Sequence, residues 1–300
     1  MHNVSISVII PVYNRSNELY ITLRSLTQQT LSKECFEVII SDDGSSEDIK
    51  AVLKDFPELR LKYVHQPDEG FRVAAARNLG ADQASGRILV FSDNGMVLSS
   101  TNLEKHIARH NADGESFVAL GNMLATGSSV NQDRVRELLE TNSPDDAITI
   151  LKDENMRDGR EYMLTNYGEK VDSWYVPWQA SWGGHLSVNS AFVKKHNIRW
   201  NESFTFWGGE DIEYGIQLCD ANACLCFCHD VMAVHYPTPS SNVLIKPGSD
   251  EWKEVQRQYR QHLIHLYPNR REIEAWSELG GRINLPEKRK EFFSQKGWEL

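Results

Sequence analysis

Near its start the chain reads Ile6-Ser7-Val8-Ile9-Ile10-Pro11-Val12-Tyr13-Asn14, a β-branched apolar run that reaches a proline and then turns polar. Such a run predicts a buried strand. A second apolar run, Phe36-Glu37-Val38-Ile39-Ile40, ends in the polar turn Asp42-Asp43-Gly44-Ser45. The two runs lie far enough apart for a crossover helix between parallel strands.

The segments that follow continue this alternation. We expect helices from Asn17, as the N-cap, to about residue 30, near 47–56 and near 73–84, and strands near 61–65 and at 88–91. Further strand and helix patterns occur at 186–189, 210–219 and 224–234. Alternating strands and helices predict an α/β fold with a mainly parallel sheet, in which ligands bind beyond the carboxyl ends of the strands.

The predicted organisation is one catalytic domain with a smaller addition. We assign residues 1–245 to the α/β domain, with a nucleotide-binding half at 1–120 and an acceptor and catalytic half at 121–245. The polar stretch from 122 to 175 is expected to contain helices and an active-site loop. Residues 246–300 are predicted to form a small helical C-terminal appendage, because Glu251 begins an amphipathic pattern.

Composition excludes several classes of protein. A formal net charge of -10 and a pI near 5.5 argue against a nucleic-acid binder, which usually presents a basic face. The chain shows no signal-peptide pattern and no apolar run of about 20 residues, so we expect a cytoplasmic protein with at most peripheral membrane contact. The five cysteines fit a reducing compartment. Cys224, Cys226 and Cys228 alternate along one strand face. This spacing favours thiols that pack as small hydrophobes, and a zinc site is the alternative.

One segment carries the chemistry of sugar binding. Phe206-Trp207-Gly208-Gly209-Glu210-Asp211-Ile212-Glu213 joins an aromatic ring, two glycines and an acidic cluster. A tryptophan face can stack on a sugar ring, glycines allow close approach of a ligand, and a carboxylate can deprotonate a hydroxyl. The alternative is that Glu210 and Asp211 are only favourable charges at a helix N-terminus.

These motifs resemble, in order, those of inverting family 2 glycosyltransferases with the GT-A fold, over about residues 4–240. The run at 8–14, the Asp42-Asp43-Gly44-Ser45 turn and Ala76-Arg77-Asn78-Leu79-Gly80 resemble the nucleotide-binding half. The block at 207–211 resembles chondroitin-polymerase-type and β4-galactosyltransferase-type enzymes. The resemblance implies a mixed, mainly parallel sheet flanked by helices.

The resemblance also implies a set of donor-binding residues. The first loop and the Asp-Asp-Gly-Ser turn are expected to frame the nucleotide; the alternative is that this segment is a simple turn and helix cap. Arg77 is expected to pair with phosphate; the alternative is an ion pair with Asp42 or another carboxylate. Trp182 and the Gly183-Gly184 pair resemble a donor-sugar loop. The residues expected to bind the donor are Pro11, Tyr13, Arg15, Asp42, Asp43, Arg77, Asp93, Asn94, Trp182, Gly184, Trp207 and Gly209.

The metal site departs from the family pattern. GT-A enzymes usually carry Asp-x-Asp after the strand at 88–91, but here the sequence is Asp93-Asn94-Gly95, so Gly95 replaces the second acidic residue. Met232-Ala233-Val234-His235 has the Met-x-x-His spacing in which the family's histidine binds metal. We therefore expect Mn²⁺ or Mg²⁺ held by Asp93 and His235. The alternatives are a histidine satisfied by hydrogen bonds and a diphosphate neutralised without a tightly held metal.

The predicted function is inverting transfer of a hexose-type sugar from a nucleoside diphosphate donor, expected to be a UDP-sugar, to a hydroxyl of a glycan or small-molecule acceptor. By resemblance, Asp211 is the general base and Glu210 orients hydroxyl groups. One rival is a catalytically weakened GT-A module that binds nucleotide-sugar or glycan as a partner subunit, which Gly95 favours and the acidic pair disfavours. Nucleotidyl transfer is a second rival, but the loop after the first strand lacks the glycines it needs.

Overall fold

The eight strands form one mixed sheet, described in a computed structural model that covers residues 4–126, 131–237 and 248–299. The order across the sheet is β3-β2-β1-β4-β7-β6-β8-β5. The strands are β1 (Ile6–Val12), β2 (Phe36–Asp42), β3 (Leu61–His65), β4 (Ile88–Ser92), β5 (Met96–Leu98), β6 (Phe117–Leu124), β7 (His185–Asn189) and β8 (Cys224–His235).

Helices flank the sheet and continue beyond it at the C-terminal end of the chain. They are α1 (Ser16–Thr27), α2 (Ile49–Leu53), α3 (Val73–Asp82), α4 (Asn102–Asp113), α5 (Gln132–Thr141), α6 (Pro144–Asp153), α7 (Glu161–Tyr167), α8 (Ser190–Lys195), α9 (Glu210–Asp220), α10 (Asp250–Leu266), α11 (Arg271–Leu279) and α12 (Pro286–Lys296). Within the described ranges, no helix is both long and apolar enough to cross a membrane.

Strand direction brings the polar loops to one edge. β1 pairs in parallel with β2 and β4, so the chain leaves all three strands at the same side of the sheet. β7 runs antiparallel to β4, so the residues just before His185 lie at that side as well. β6 is antiparallel to β7 and parallel to β8, which brings His235 to the same edge. The predicted convergence of these loops at one edge of the sheet therefore follows from the directions of the strands.

Apolar side chains fill both faces of the sheet. Strands β1 and β2 are buried along their full length, as expected for central strands covered by helices on both sides. A separate apolar cluster lies between α9 and the C-terminal helices, and includes Phe204, Ile212, Tyr259, Leu263 and Trp276. The C-terminal helices thus share a core with α9. The predicted domain boundary at residue 245 lies outside the described residues.

Several predicted boundaries were wrong for a tertiary reason. The first helix begins at Ser16, and Asn17 is inside it. Arg15 precedes the helix in the left-handed region, with φ of 61°, and the backbone N–H groups of Arg15 and Ser16 donate to the carboxylate of Glu47. The cap is therefore supplied by the loop after β2, which no local pattern could show.

Other differences concern elements that the sequence did not reveal. The short strand β5, the strand β6 and helix α4 were not predicted, and α2 covers only part of the expected helix. Residues 122–124 belong to β6, whereas the stretch beyond residue 131 is helical as expected. The cysteines of β8 line one strand face, and Cys228 packs with Phe117 and Ala119. Among the described residues, no three His, Cys, Asp or Glu side chains form a group suited to a metal.

Candidate active site

Arg77 of α3 links two carboxylates from distant parts of the chain. Its Nη2 donates to Asp93 Oδ1 over 2.9 Å, and its Nη1 donates to Glu210 Oε1 over 3.1 Å. The guanidinium is only 3% exposed and lies 4.3 Å from the centre of the Trp200 ring. Burial opposes the charge on Arg77, but the carboxylates of Asp93, Glu210 and Asp211 outweigh it and raise the pKa of Arg77.

The ion pair left open as an alternative for Arg77 is thus present, but its partners are Asp93 and Glu210 instead of Asp42. A planar guanidinium with several fixed donors can hold two carboxylates at once, which a lysine cannot do with the same geometry. A contact between Arg77 and a donor phosphate stays a prediction. In this arrangement the three charged groups form a hub between the loop after β4 and the start of α9.

Asp211 lies next to this hub and has an altered acidity. Burial, followed by the neighbouring charge of Glu210, raises the pKa of Asp211 to about 7, although Arg77 acts in the opposite direction. The carboxylate accepts from the N–H of Ile212 over 2.8 Å and from the N–H of Gly183. A carboxyl group with a pKa near 7 is a stronger base than an ordinary aspartate and is still partly ionised at neutral pH, which suits a general base.

Glu210 offers an open acceptor beside Asp211. Its Oε1 binds Arg77, whereas its Oε2 is buried and has no hydrogen-bond partner among the described residues. A buried carboxylate oxygen without a donor is costly, and a hydroxyl group of a bound ligand would satisfy it. The alternative that the two acids are only helix charges leaves this orphaned oxygen unexplained, although both residues do begin α9.

Gly183 and Gly184 make room for the hub. A Cβ atom on Gly183 would lie 2.9 Å from Nη2 of Arg77, and one on Gly184 would lie 3.1 Å from Oδ2 of Asp93. The carbonyl of Gly184 also accepts the N–H of Asp93 over 3.0 Å. The double glycine therefore brings the loop before β7 into direct contact with the charged residues, and a side chain at either position would separate them.

The segment at residues 207–211, called here the acidic turn, is shaped by two glycines with positive φ. Gly208 and Gly209 have φ of 88° and 93°, which side chains rarely tolerate. The Trp207 ring beside them is 48% exposed, so a large aromatic face remains open to solvent. Of the tryptophans at 174, 178 and 182, the first two are buried in apolar clusters, whereas Trp182 keeps partial exposure.

The predicted nucleotide loops do lie together. The side-chain oxygen of Asn14 accepts the N–H groups of Ser46 and Glu47, which joins the loop after β1 to the loop after β2. Tyr13 is 50% exposed, and its hydroxyl donates to Asp68 Oδ2 over 3.0 Å. Pro11 is buried at the end of β1 beside Ser41 of β2. The exposed Tyr13 ring is a suitable surface for stacking of a nucleotide base.

The two aspartates of the turn are both bound within the protein. Asp42 is 1% exposed and accepts from Ser45 N–H over 2.8 Å and from the Tyr63 hydroxyl over 2.5 Å, which is the turn role left open as an alternative. Asp43 accepts from Gln66 Nε2 over 2.5 Å and from the N–H of Arg72 over 3.0 Å. Burial raises the pKa of Asp43. A role of either residue in nucleotide binding stays a prediction.

The two predicted metal ligands lie within electrostatic reach of each other. Burial lowers the pKa of His235, while the Asp93 carboxylate acts in the opposite direction. A neutral imidazole and a carboxylate are suitable ligands for Mn²⁺, and such ions commonly complete their shell with substrate phosphates. The donor types of Asp93 and His235 therefore suit a metal that is shared with a diphosphate, although the described residues contain no group of three His, Cys, Asp or Glu side chains suited to a metal.

Gly95 lies beside Glu18, an acidic residue that the sequence motifs did not single out. A Cβ atom on Gly95 would lie 3.7 Å from Cβ of Glu18, a residue of α1 that is only 7% exposed. Gly95 has φ of 97°, which explains why a glycine is favoured there. The neighbouring Asn94 donates to the carbonyl of Arg15 over 3.1 Å and leaves its Oδ1 buried without a partner among the described residues.

Two residues that the sequence motifs did not single out, Trp200 and Gln66, support the side chains of the site. Trp200 stacks on Tyr214 with the rings 4.2 Å apart and nearly parallel, and it also contacts the Arg77 guanidinium. Gln66 holds Asp43. Neither residue belongs to a recognisable motif, because each acts through a contact that only folding creates.

The mixed eight-stranded sheet flanked by helices is a GT-A fold, as the likeness to solved structures shows. The structure of residues 1–349 of S. aureus TarS in complex with UDP covers 98% of this chain, has a TM-score of 0.57 and is 19% identical, and the chain covers 75% of it. The mannosyltransferase PcManGT from Pyrobaculum calidifontis, in complex with GDP-Man and Mn²⁺, covers 98% with a TM-score of 0.58 and 16% identity, and the chain covers 76% of it.

The chain belongs to glycosyl transferase family 2, whose model matches residues 7–169. Validoxylamine A glucosyltransferase from Streptomyces hygroscopicus subsp. jinggangensis is 35% identical over 219 residues, which are 72% of this chain and 52% of that protein. Chondroitin synthase from Pasteurella multocida is 28% identical over 262 residues, 79% of this chain and 25% of that protein. The chain spans about half the length of the first of these relatives. The predicted family and fold are confirmed, whereas the likeness of the acidic turn itself stays a prediction.

Proposed function

We propose that this glycosyltransferase moves a hexose-type sugar from a UDP-sugar to a hydroxyl group of a glycan or other glycoconjugate, with inversion at the anomeric carbon. The observation that carries the proposal is the acidic pair at the start of α9, in which Glu210 is buried and Asp211 half-buried. Asp211 has a pKa raised to about 7, and Glu210 presents an unpartnered oxygen beside it. A UDP donor is supported by the TarS complex, although PcManGT binds GDP-Man.

In the proposed reaction Asp211 accepts the proton of the acceptor hydroxyl as that oxygen attacks the anomeric carbon. The bond from this carbon to the diphosphate oxygen breaks at the same time, and the nucleoside diphosphate leaves from the opposite face. Glu210, fixed by Arg77, orients a hydroxyl through its free oxygen. Trp207 and Trp182 offer faces for sugar rings.

The leaving diphosphate requires neutralisation at the carboxyl edge of the sheet. Asp93 and His235 would hold a divalent ion there together with donor phosphates, and that ion would stabilise the charge that develops on the leaving group. Arg15, partly exposed at the start of α1 and within electrostatic reach of His235, is the cation nearest to this edge in the first loop.

The test compares Asp211→Asn with the wild-type protein. We expect the variant to bind UDP with unchanged affinity by calorimetry, while UDP release from a panel of UDP-sugars in the presence of acceptors falls by about 10²- to 10⁴-fold. Near wild-type turnover would contradict the base assignment. UDP binding by the wild-type protein without turnover of any donor would favour the weakened GT-A module instead.

A further inference from the structure

Helix α10 packs directly against the acidic turn. A Cβ atom placed on Gly209 would lie 2.8 Å from Cβ of Tyr259, and one placed on Gly208 would lie 3.5 Å from the Tyr259 ring. Because added Cβ atoms would come this close to Tyr259, the tyrosine side chain lies directly against the glycine backbone. Tyr259 is 7% exposed and packs in the same apolar cluster as Ile212 and Trp276.

Two further side chains of α10 and its end hold the segments on either side of the turn. His262 packs edge-on against Phe204 with the rings 4.7 Å apart, and its Nε2 lies 2.8 Å from the Ser203 hydroxyl. On the other side, the hydroxyl of Tyr267 donates to Glu213 over 2.6 Å. The acidic turn is therefore fixed before, at and after its glycines by α10 and by Tyr267, the residue that follows this helix.

We propose that Tyr259 is a positioning residue for the acidic turn: its ring fixes the Gly208-Gly209 backbone and shields the half-buried Asp211 carboxylate from part of the surrounding water. The C-terminal helices are then part of the catalytic unit rather than an appendage to it. This inference rests on the proposed role of Asp211 as the base. Tyr259 and α10 are additional to that role, because they set the position and the environment of the base.

The ring, and not the hydroxyl, carries this role. The Tyr259 hydroxyl donates to Gln256 Oε1 over 2.5 Å, so it is engaged within α10. Burial raises the pKa of the Tyr259 phenol, and the Asp211 carboxylate contributes in the same direction, which shows that the two groups are within electrostatic reach. Since burial is also the largest cause of the raised pKa of Asp211, loss of the ring should hydrate this carboxylate.

The experiment measures the ionisation of Asp211 without relying on turnover. Carboxyl-carbon NMR of aspartate-labelled protein is followed against pH in the wild-type protein, Tyr259→Ala and Tyr259→Phe, with Asp211→Asn identifying the resonance. Leu263→Ala is the matched control, because Leu263 is fully buried in the same apolar cluster of α10. Calorimetric UDP binding, thermal melting and kcat are measured on each variant. Tyr259→Leu replaces the alanine variant if that one does not fold.

We expect Tyr259→Ala to lower the titration midpoint of Asp211 by about one pH unit and kcat by at least about tenfold, with UDP affinity within about twofold. Tyr259→Phe should retain the wild-type titration midpoint of Asp211. Leu263→Ala should lower the melting temperature but leave that midpoint unchanged. An unchanged midpoint and kcat in Tyr259→Ala would overturn the proposal, as would an equal shift in Leu263→Ala. A wild-type protein without turnover would refute the proposed function, whereas the NMR comparison would still decide the role of Tyr259.

Discussion

The guanidinium of Arg77 donates to the carboxylate of Glu210, a residue 133 positions later in the sequence, over 3.1 Å. This pair connects α3 to the first turn of α9. Because the same guanidinium also holds Asp93, displacement of any one of the three groups is expected to disturb the other two. The site therefore behaves as one unit, and its variants should be assessed for both stability and donor binding.

Arg77→Lys should impair both properties. A lysine keeps the charge but cannot reproduce the two directed contacts, so one buried carboxylate loses its partner. We expect a loss of about 3 kcal/mol in the free energy of unfolding and at least tenfold weaker UDP binding. The measurements are denaturant unfolding and calorimetry. The control is Arg199→Lys at the exposed pair with Asp82, for which a change under about 1 kcal/mol is expected. Equal effects of the two substitutions would argue against the hub.

The pH dependence of turnover should report Asp211. Its raised pKa means that the base form is lost as the pH falls below about 7, so kcat should rise with pH up to that point and then level off. Glu210→Gln removes a charge that raises this pKa and frees Arg77, which lowers it. The midpoint of the kcat profile should therefore move to lower pH in this variant, and a midpoint that stays in place or moves upward would exclude Asp211 as the titrating group.

His235→Ala should weaken UDP binding in the presence of Mn²⁺ by at least about tenfold and much less in EDTA. The reason is that an imidazole lost from a shared metal shell matters only when the metal is present. His229→Ala on the same strand is the control, because that exposed side chain pairs with Glu169 at the surface. Equal losses with and without Mn²⁺ would remove His235 from the metal shell.

A buried histidine cluster should limit stability in acid. His106 and His185 share a contact of 3.2 Å between their Nε2 atoms, and His106 and His110 both contact the Ser187 hydroxyl. Burial lowers the pKa of His185 to about 3 and that of His110 to about 4, with Arg160 and Arg87, respectively, acting in the same direction. Asp158 opposes this shift at His185.

The sign of this effect follows from proton binding. Below the unfolded value of about 6.5 the unfolded chain binds protons that the folded protein does not, so stability falls as the pH decreases through this range. Each histidine should contribute a loss of about 2 kcal/mol between pH 7 and pH 5. His110→Gln should reduce the slope of unfolding free energy against pH, whereas the exposed His196→Gln should not. An unchanged slope in His110→Gln would contradict the assignment.

Local sequence determined most of the strands and helices from β1 to β4. β3 is found at Leu61–His65 as predicted, and the polar turns after β1, β2 and β4 lie at one edge, because alternating parallel strands leave no other arrangement. Neither β6 nor α4, the helix before it, was predicted from the sequence. The start of α1 was misplaced because its cap comes from Glu47 in another loop.

The sequence by itself therefore determined the family, the fold class and the residue types available at the site, because these depend on periodicity and on motifs in order along the chain. Only the tertiary structure decided that Arg77 pairs with Asp93 and Glu210, that Asp42 is used inside its turn, and that α10 packs on the acidic turn. Ion pairs, burial and the resulting pKa of Asp211 depend on which distant groups come together. That information resides in the packing of elements and not in the pattern of any one of them.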